Sequence, residues 1–120
     1  MTETGRSEPA DRRAALLSDL HGPDIGKATQ ALLNLTYDDP DREWVEALLL
    51  ECLGSSVNPQ IRALAVTCMG HVGRIHRAIG DESVSVLRAL LSDSELGGRA
   101  EDALDDIASF VRPSPGGPSD

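Results

Sequence analysis

Asn58-Pro59-Gln60-Ile61 and Asp93-Ser94-Glu95-Leu96 each open an apolar segment, and the two segments align at a fixed offset of 35 residues. The small residues Ala65 and Cys68 fall opposite Ala100 and Ala103, and Met69 and Val72 fall opposite Leu104 and Ile107. Self-similarity at a period of a few tens of residues points to stacked repeats, in which each unit buries its apolar face only against its neighbour. Stacked helical repeats present an extended surface to a partner. The offset therefore favours a binding protein over an enzyme before any side-chain chemistry is weighed.

At 120 residues the chain suits one domain with a real apolar core. The formal net charge of −9, with Lys27 as the single lysine, disfavours nucleic acid and anionic membranes, which need clustered cations. It favours a basic protein partner through electrostatic complementarity, or serves solubility alone. Tyr37, Trp44 and Phe110 are the whole aromatic inventory, so the core must come from Leu, Ile, Val and Ala. Strand-rich folds draw more on aromatic and β-branched residues. Cys52 and Cys68 sit among apolar neighbours and read as buried free thiols. No stretch approaches the length of a membrane span, the polar N-terminus carries no signal-peptide apolar run, and the expected location is the cytoplasm.

Residues 1–10 read as polar and mobile, residues 11–112 as one helical domain, and residues 113–120 as a disordered Pro/Gly tail. A short helix over Asp11–Leu20 would cap the stack. A second helix spans Asp24–Leu35, with Ile25, Ala28, Leu32 and Leu35 on one face. Asp39 caps the third and Pro40 takes its first position; Val45, Leu48, Leu49 and Cys52 point inward. Asn58-Pro59 opens the longest helix, which runs to Arg77 with the stripe Ile61, Ala65, Cys68, Met69, Val72 and Ile75. The last two helices span Glu82–Leu91, with Val84, Leu87, Leu90 and Leu91, and Ser94–Arg112. The fold expected is all-α: a short α-solenoid of stacked antiparallel helix pairs, five main helices plus a short N-terminal one.

Asn58-Pro59-Gln60-Ile61-Arg62-Ala63-Leu64-Ala65 resembles the second helix of a HEAT repeat, which opens with Asp/Asn-Pro, a β-branched residue, Arg and a packed alanine. The C-terminal copy departs from this, with Ser94 for Pro59 and Gly97 for Arg62; the N-terminal copy, Ile25–Leu35, aligns only approximately. The resemblance covers about Asp24 to Val111. The segments Thr67–His76 and Ala100–Ile107 are also similar to those of small bacterial HEAT-like immunity proteins, which neutralise contact-dependent or polymorphic toxins. That similarity implies a cytosolic inhibitor that occludes a toxin domain stoichiometrically, and the acidic charge implies that the toxin domain is basic.

Three groups of residues are candidates for the partner surface. Glu101, Asp102, Asp105 and Asp106 form two i,i+4 like-charge pairs, each costing about 0.2–0.5 kcal/mol. A cationic partner would offset that cost, and an ordinary solvated face would tolerate it with relief from Arg99 or Arg112. His71 and Arg74 share a face, either in an ion-pair network with the last helix or on a concave binding surface. Tyr37, Asp38, Asp39, Arg42 and Trp44 cluster in sequence, and Tyr, Trp and Arg are enriched at interface hot spots. A lone Trp in a small repeat protein is more often part of the core; partly exposed, it would make this patch the first choice for the interface. Gly70 and Gly73 each cost about 1 kcal/mol inside a helix, which a close-packed neighbouring helix or a partner backbone would justify.

Catalysis finds no support. His21, His71 and His76 lack zinc-ligand spacing, the cysteines form no CxxC, and neither a phosphate loop nor a nucleophile elbow is present. No metal, cofactor or catalytic residue is expected. The alternatives to an immunity protein are an adaptor binding a cellular enzyme and, remotely, a HEAT-like lyase or accessory protein acting on a prosthetic group. The exposed ends of so short a stack suit a monomer or a weak dimer.

Overall fold

The computed structural model describes the backbone of residues 4–111 and the side chains of residues 10–111. It contains α1 (Thr4–Leu20), α2 (Ile25–Asp38), α3 (Arg42–Glu51), α4 (Pro59–His76), α5 (Asp81–Leu90) and α6 (Gly97–Phe110). Among the described residues there is no strand, and the fold is all-α. The Pro/Gly tail and Arg112 lie outside the described residues, as do residues 1–3.

α4 is the centre of the molecule. It packs against α2 on one side and, most extensively, against α6 on the other, while α1, α3 and α5 each pack on the helix that follows them. The even-numbered helices thus form a row backed by the odd-numbered ones. The core is aliphatic: Leu32, Leu35, Val45, Leu49, Val66, Met69, Val72 and Leu87 are fully buried. Of the residues read as inward-facing, Ile25, Ile75 and Leu91 are exposed instead. Each lies in the first or last turn of its helix or just past it, where fewer neighbouring helices cover it.

The 35-residue offset is legible in the geometry. Asn58 Oδ1 accepts the N–H of Gln60 at 2.7 Å, and Asp93 Oδ1 accepts the N–H of Glu95 at 2.8 Å. The next turn closes identically, Arg62 N–H to Asn58 carbonyl at 3.0 Å and Gly97 N–H to Asp93 carbonyl at 2.9 Å. Ile61, Ala65, Cys68 and Val72 are buried, and so are Leu96, Ala100, Ala103 and Ile107. Hydrogen bonds from the Leu96 and Glu95 backbone N–H groups, with a smaller pull from the Arg62 charge, hold the Asp93 carboxyl below its ordinary value of 3.8.

Where the copies differ, the structure gives the reason. Arg62 Nε donates back to the Leu53 carbonyl at 3.3 Å, tying α4 to the end of α3. At the equivalent position the chain itself closes in: a Cβ on Gly97 would stand 2.6 Å from the Leu91 carbonyl oxygen. Gly70 and Gly73 are explained likewise. A Cβ there would meet Ala103 Cα at 3.0 Å and Ile107 Cγ1 at 2.9 Å. The glycines let α4 and α6 touch nearly backbone to backbone.

Several helix limits are corrected. α1 begins at Thr4, within the segment read as mobile, because extending a helix that is already docked costs little beyond its nucleus. α2 continues to Asp38 and α6 starts at Gly97, after a turn capped by Asp93. Asp41, not Asp39, caps α3, its Oδ1 accepting the Trp44 N–H at 3.1 Å. Asp39 is claimed from a distance: Arg13 of α1 forks onto both carboxylate oxygens at 2.9 Å.

Gly97 and Gly98 are adjacent and only the first is constrained, since a Cβ on Gly98 meets nothing within 4 Å. Gly97→Ala is expected to cost about 1–3 kcal/mol by overpacking, and Gly98→Ala to stabilise by up to about 1 kcal/mol through helix propensity. Urea unfolding of the two variants checks this. Equal effects would contradict the close approach at Leu91.

Candidate functional site

The face of the helix row not covered by α1, α3 and α5 carries three ladders of side chains. α2 contributes Ile25, Thr29, Leu33 and Tyr37, four residues apart, and α4 contributes Gln60, Leu64, Thr67, His71 and Arg74. The turn before α6 and α6 itself contribute Glu95, Arg99, Asp102 and Asp106. Two grooves run between the ladders. One, of about 560 Å³, is mainly aliphatic, with Ile25, Leu33, Pro59, Ala63 and Leu64 along it. The other, of about 660 Å³, lies between α4 and α6 and is lined by Glu95, Glu101, Asp102 and Asp106. Arg99 stands at the border of both.

The acidic groove holds four carboxylates and one guanidinium, Arg99. None of its four carboxylates has an ion-pair partner among the described residues. Arg99, the nearest cation, donates from Nη1 to Thr67 Oγ1 at 3.0 Å instead. Asp105 is exposed and outside the groove, so the i,i+4 pairs are split: Asp102 and Asp106 line the groove with Glu101, and Asp105 does not.

Beside this groove the structure joins two residue groups that lie far apart in sequence. The Tyr37 ring stands 5.1 Å from the His71 ring, tilted by 32°, and Tyr37 remains 45% exposed. Arg74 Nη2 lies 2.7 Å from His71 Nδ1. A guanidinium can only donate, so Nδ1 is the acceptor and the imidazole is neutral with its proton on Nε2. The expected ion-pair network from α4 to α6 is therefore not formed: Arg74 serves the imidazole. Burial first, and the Arg74 charge second, push the His71 pKa below 6.5, while the Asp106 carboxylate pulls the other way.

The other candidates serve the fold. Asp38 pairs with Arg12 at 2.8 Å on the surface, and Asp39 is buried under Arg13. Trp44 is half-buried against the core, with the Arg13 guanidinium 3.9 Å above its ring. Tyr37 is thus separated from Asp39 and Trp44, which hold α1 in place. Arg42 belongs to a different joint. It pairs with the buried Glu46, which accepts the Gly80 N–H at 2.9 Å and the Ser83 hydroxyl at 2.6 Å, locking α3 to the start of α5. Arg13, Glu46, Thr67 and the aliphatic groove were not among the sequence candidates, since each acquires its role from a partner more than 25 residues away.

Cys52 and Cys68 are free and buried, and burial pushes both thiols up to about 11, so the thiolate is scarce at neutral pH. Among the described residues no group of three His, Cys, Asp or Glu side chains is placed to hold a metal ion, and no helix is long and apolar enough to cross a membrane. Comparison with protein-family models, with curated proteins and with solved structures finds no significant match to this chain.

Two outcomes follow from these contacts. Arg13→Ala leaves the buried Asp39 carboxylate without its cation and is expected to cost about 2 kcal/mol, whereas Arg12→Ala breaks an exposed pair worth less than about 0.5 kcal/mol; chemical denaturation distinguishes them. His71 has a folded-state pKa below its unfolded value, so below pH 6.5 the unfolded chain binds the proton more readily. Its contribution to stability is complete above pH 6.5 and is lost as pH falls from there through the lower folded-state pKa. By NMR titration, Arg74→Gln raises the His71 midpoint and Asp106→Asn lowers it further; the opposite signs would contradict the arrangement.

Proposed function

We propose that this chain is a protein-binding module, and that its partner docks on the open face of α2, α4 and α6. One observation carries the reading. A groove lined by four carboxylates, none in an ion pair among the described residues and with Arg99 as its one lining cation, lies beside an aliphatic groove and an exposed tyrosine. Like charges held together cost free energy in the unbound molecule, and a basic partner turns that cost into attraction and faster encounter. The aliphatic groove and Tyr37 would supply the desolvated contact that charge alone does not provide. Neither the buried thiols nor the neutral, Arg-bound His71 offers a comparably supported catalytic centre.

The resemblance to small bacterial immunity proteins names the class of partner: a basic toxin domain, neutralised in the cytoplasm by one-to-one occlusion. Under this reading the binding surface uses Tyr37, His71 and Arg74 together with Asp106, and extends to Glu101 and Asp102. Asp38, Asp39 and Trp44 support it from behind by fixing α1, and Arg42 by fixing α5.

Co-expression with a toxin-like domain encoded beside this chain is the test. The wild-type chain should protect cells and form a one-to-one complex. Asp102→Lys with Asp106→Lys should weaken the complex by at least on the order of tenfold and flatten its salt dependence. Glu82→Lys, on the exposed face of α5, should change neither. Protection that survives the double reversal, or fails equally with Glu82→Lys, would sink the proposal.

A further inference from the structure

A third cavity, of about 500 Å³, opens at the end of the molecule where the α1–α2 turn meets the end of α3 and the α3–α4 turn. Its size is in the range of small-molecule sites. Its walls come from the core itself. Leu20, Leu48, Cys52 and Ile61 keep 5–6% exposure, whereas Leu32, Leu35, Val45 and Leu49 beside them keep 0–1%. These four residues line this cavity, with Ala28 and Val57, whereas Leu96 and Ile107, at 4% and 9%, lie elsewhere. The core is therefore accessible at this end of α3 through a mainly aliphatic channel.

The polar groups at the cavity restrict what it can take. Among the described residues, no lysine or arginine lines it. Glu51 brings a carboxylate, exposed at the mouth and without an ion-pair partner among the described residues. The Asn58 side-chain oxygen is engaged by the Gln60 N–H at 2.7 Å, and His21 adds an imidazole to the lining. A carboxylate ligand would meet Glu51 with no cation in compensation. An ammonium group would pair with it while its hydrocarbon chain displaced water from the aliphatic walls.

We infer that this cavity is a binding site for a small aliphatic ammonium compound. The chain lies among Leu20, Leu48, Val57 and Ile61, and the ammonium sits at Glu51. The site uses none of the carboxylates of the α4–α6 groove and shares only Ile25 with the aliphatic groove, so its test does not depend on the docking surface proposed above.

The probe is n-octylamine, compared with octanoate and 1-octanol, at pH 8 on the full chain with methyl-labelled Leu, Val and Ile. Octylamine is expected to shift the methyl resonances of Leu20, Leu48, Val57 and Ile61 saturably, octanoate to leave them in place, and octanol to bind more weakly than the amine. Glu51→Gln, at an exposed position, should weaken octylamine about three- to fivefold and leave octanol unchanged. Val57→Trp should fill the channel and abolish both. If that variant does not fold by circular dichroism, the three-ligand comparison and Glu51→Gln decide alone. Equal affinities for amine, alcohol and acid, shifts confined to other methyls, or no saturable shift at all would overturn the assignment.

Discussion

The near-contact of backbones where Gly70 and Gly73 pass Ala103 and Ile107 is the constraint on which the remaining structure depends. Two interior glycines weaken α4 by about 2 kcal/mol relative to alanine. What they permit is an interface in which small residues on both helices interlock and Val72, Met69 and Ile107 are removed from water. Interiors packed to crystal density do not deform smoothly, so a single methyl at either glycine has to displace a neighbouring atom. The pairing of α4 with α6 fixes the row, and the row fixes which side chains remain outside.

The surface that results is divided by chemistry. Cations are spent on holding the odd-numbered helices: Arg12 and Arg13 on α1, and Arg42 at the α3–α5 joint. The open face of the row is left with an aliphatic groove, an acidic groove and a neutral imidazole between Tyr37 and Arg74. Carboxylates grouped on an accessible face would steer a basic partner, as the proposed function requires.

Much of the fold was legible because helical periodicity and capping are local. Asn58-Pro59 and the stripe from Ile61 to Val72 specify α4 and its inward face without reference to any other segment. The copy at Asp93 is readable through its offset even though proline and arginine are missing there. What escaped was non-local. Asp39 and Asp41 are equally good caps on local grounds, and the choice falls to Asp41 because Arg13, 26 residues away, occupies Asp39. Tyr37 and Trp44 are seven positions apart and end in different environments because α1 covers one of them. The encounter of Tyr37 with His71 depends on how α2 lies against α4, and no spacing within either helix encodes that.

Native-state hydrogen exchange tests the role of the glycine contact most directly. Amides of α4 from Ala65 to Gly73 and of α6 from Ala100 to Ile107 should exchange last and together, with the same opening free energy and the same denaturant dependence, equal to those of global unfolding. Exchange of α6 through a separate, less costly opening, while α4 stays protected with α2 and α3, would contradict the claim that this contact organises the molecule.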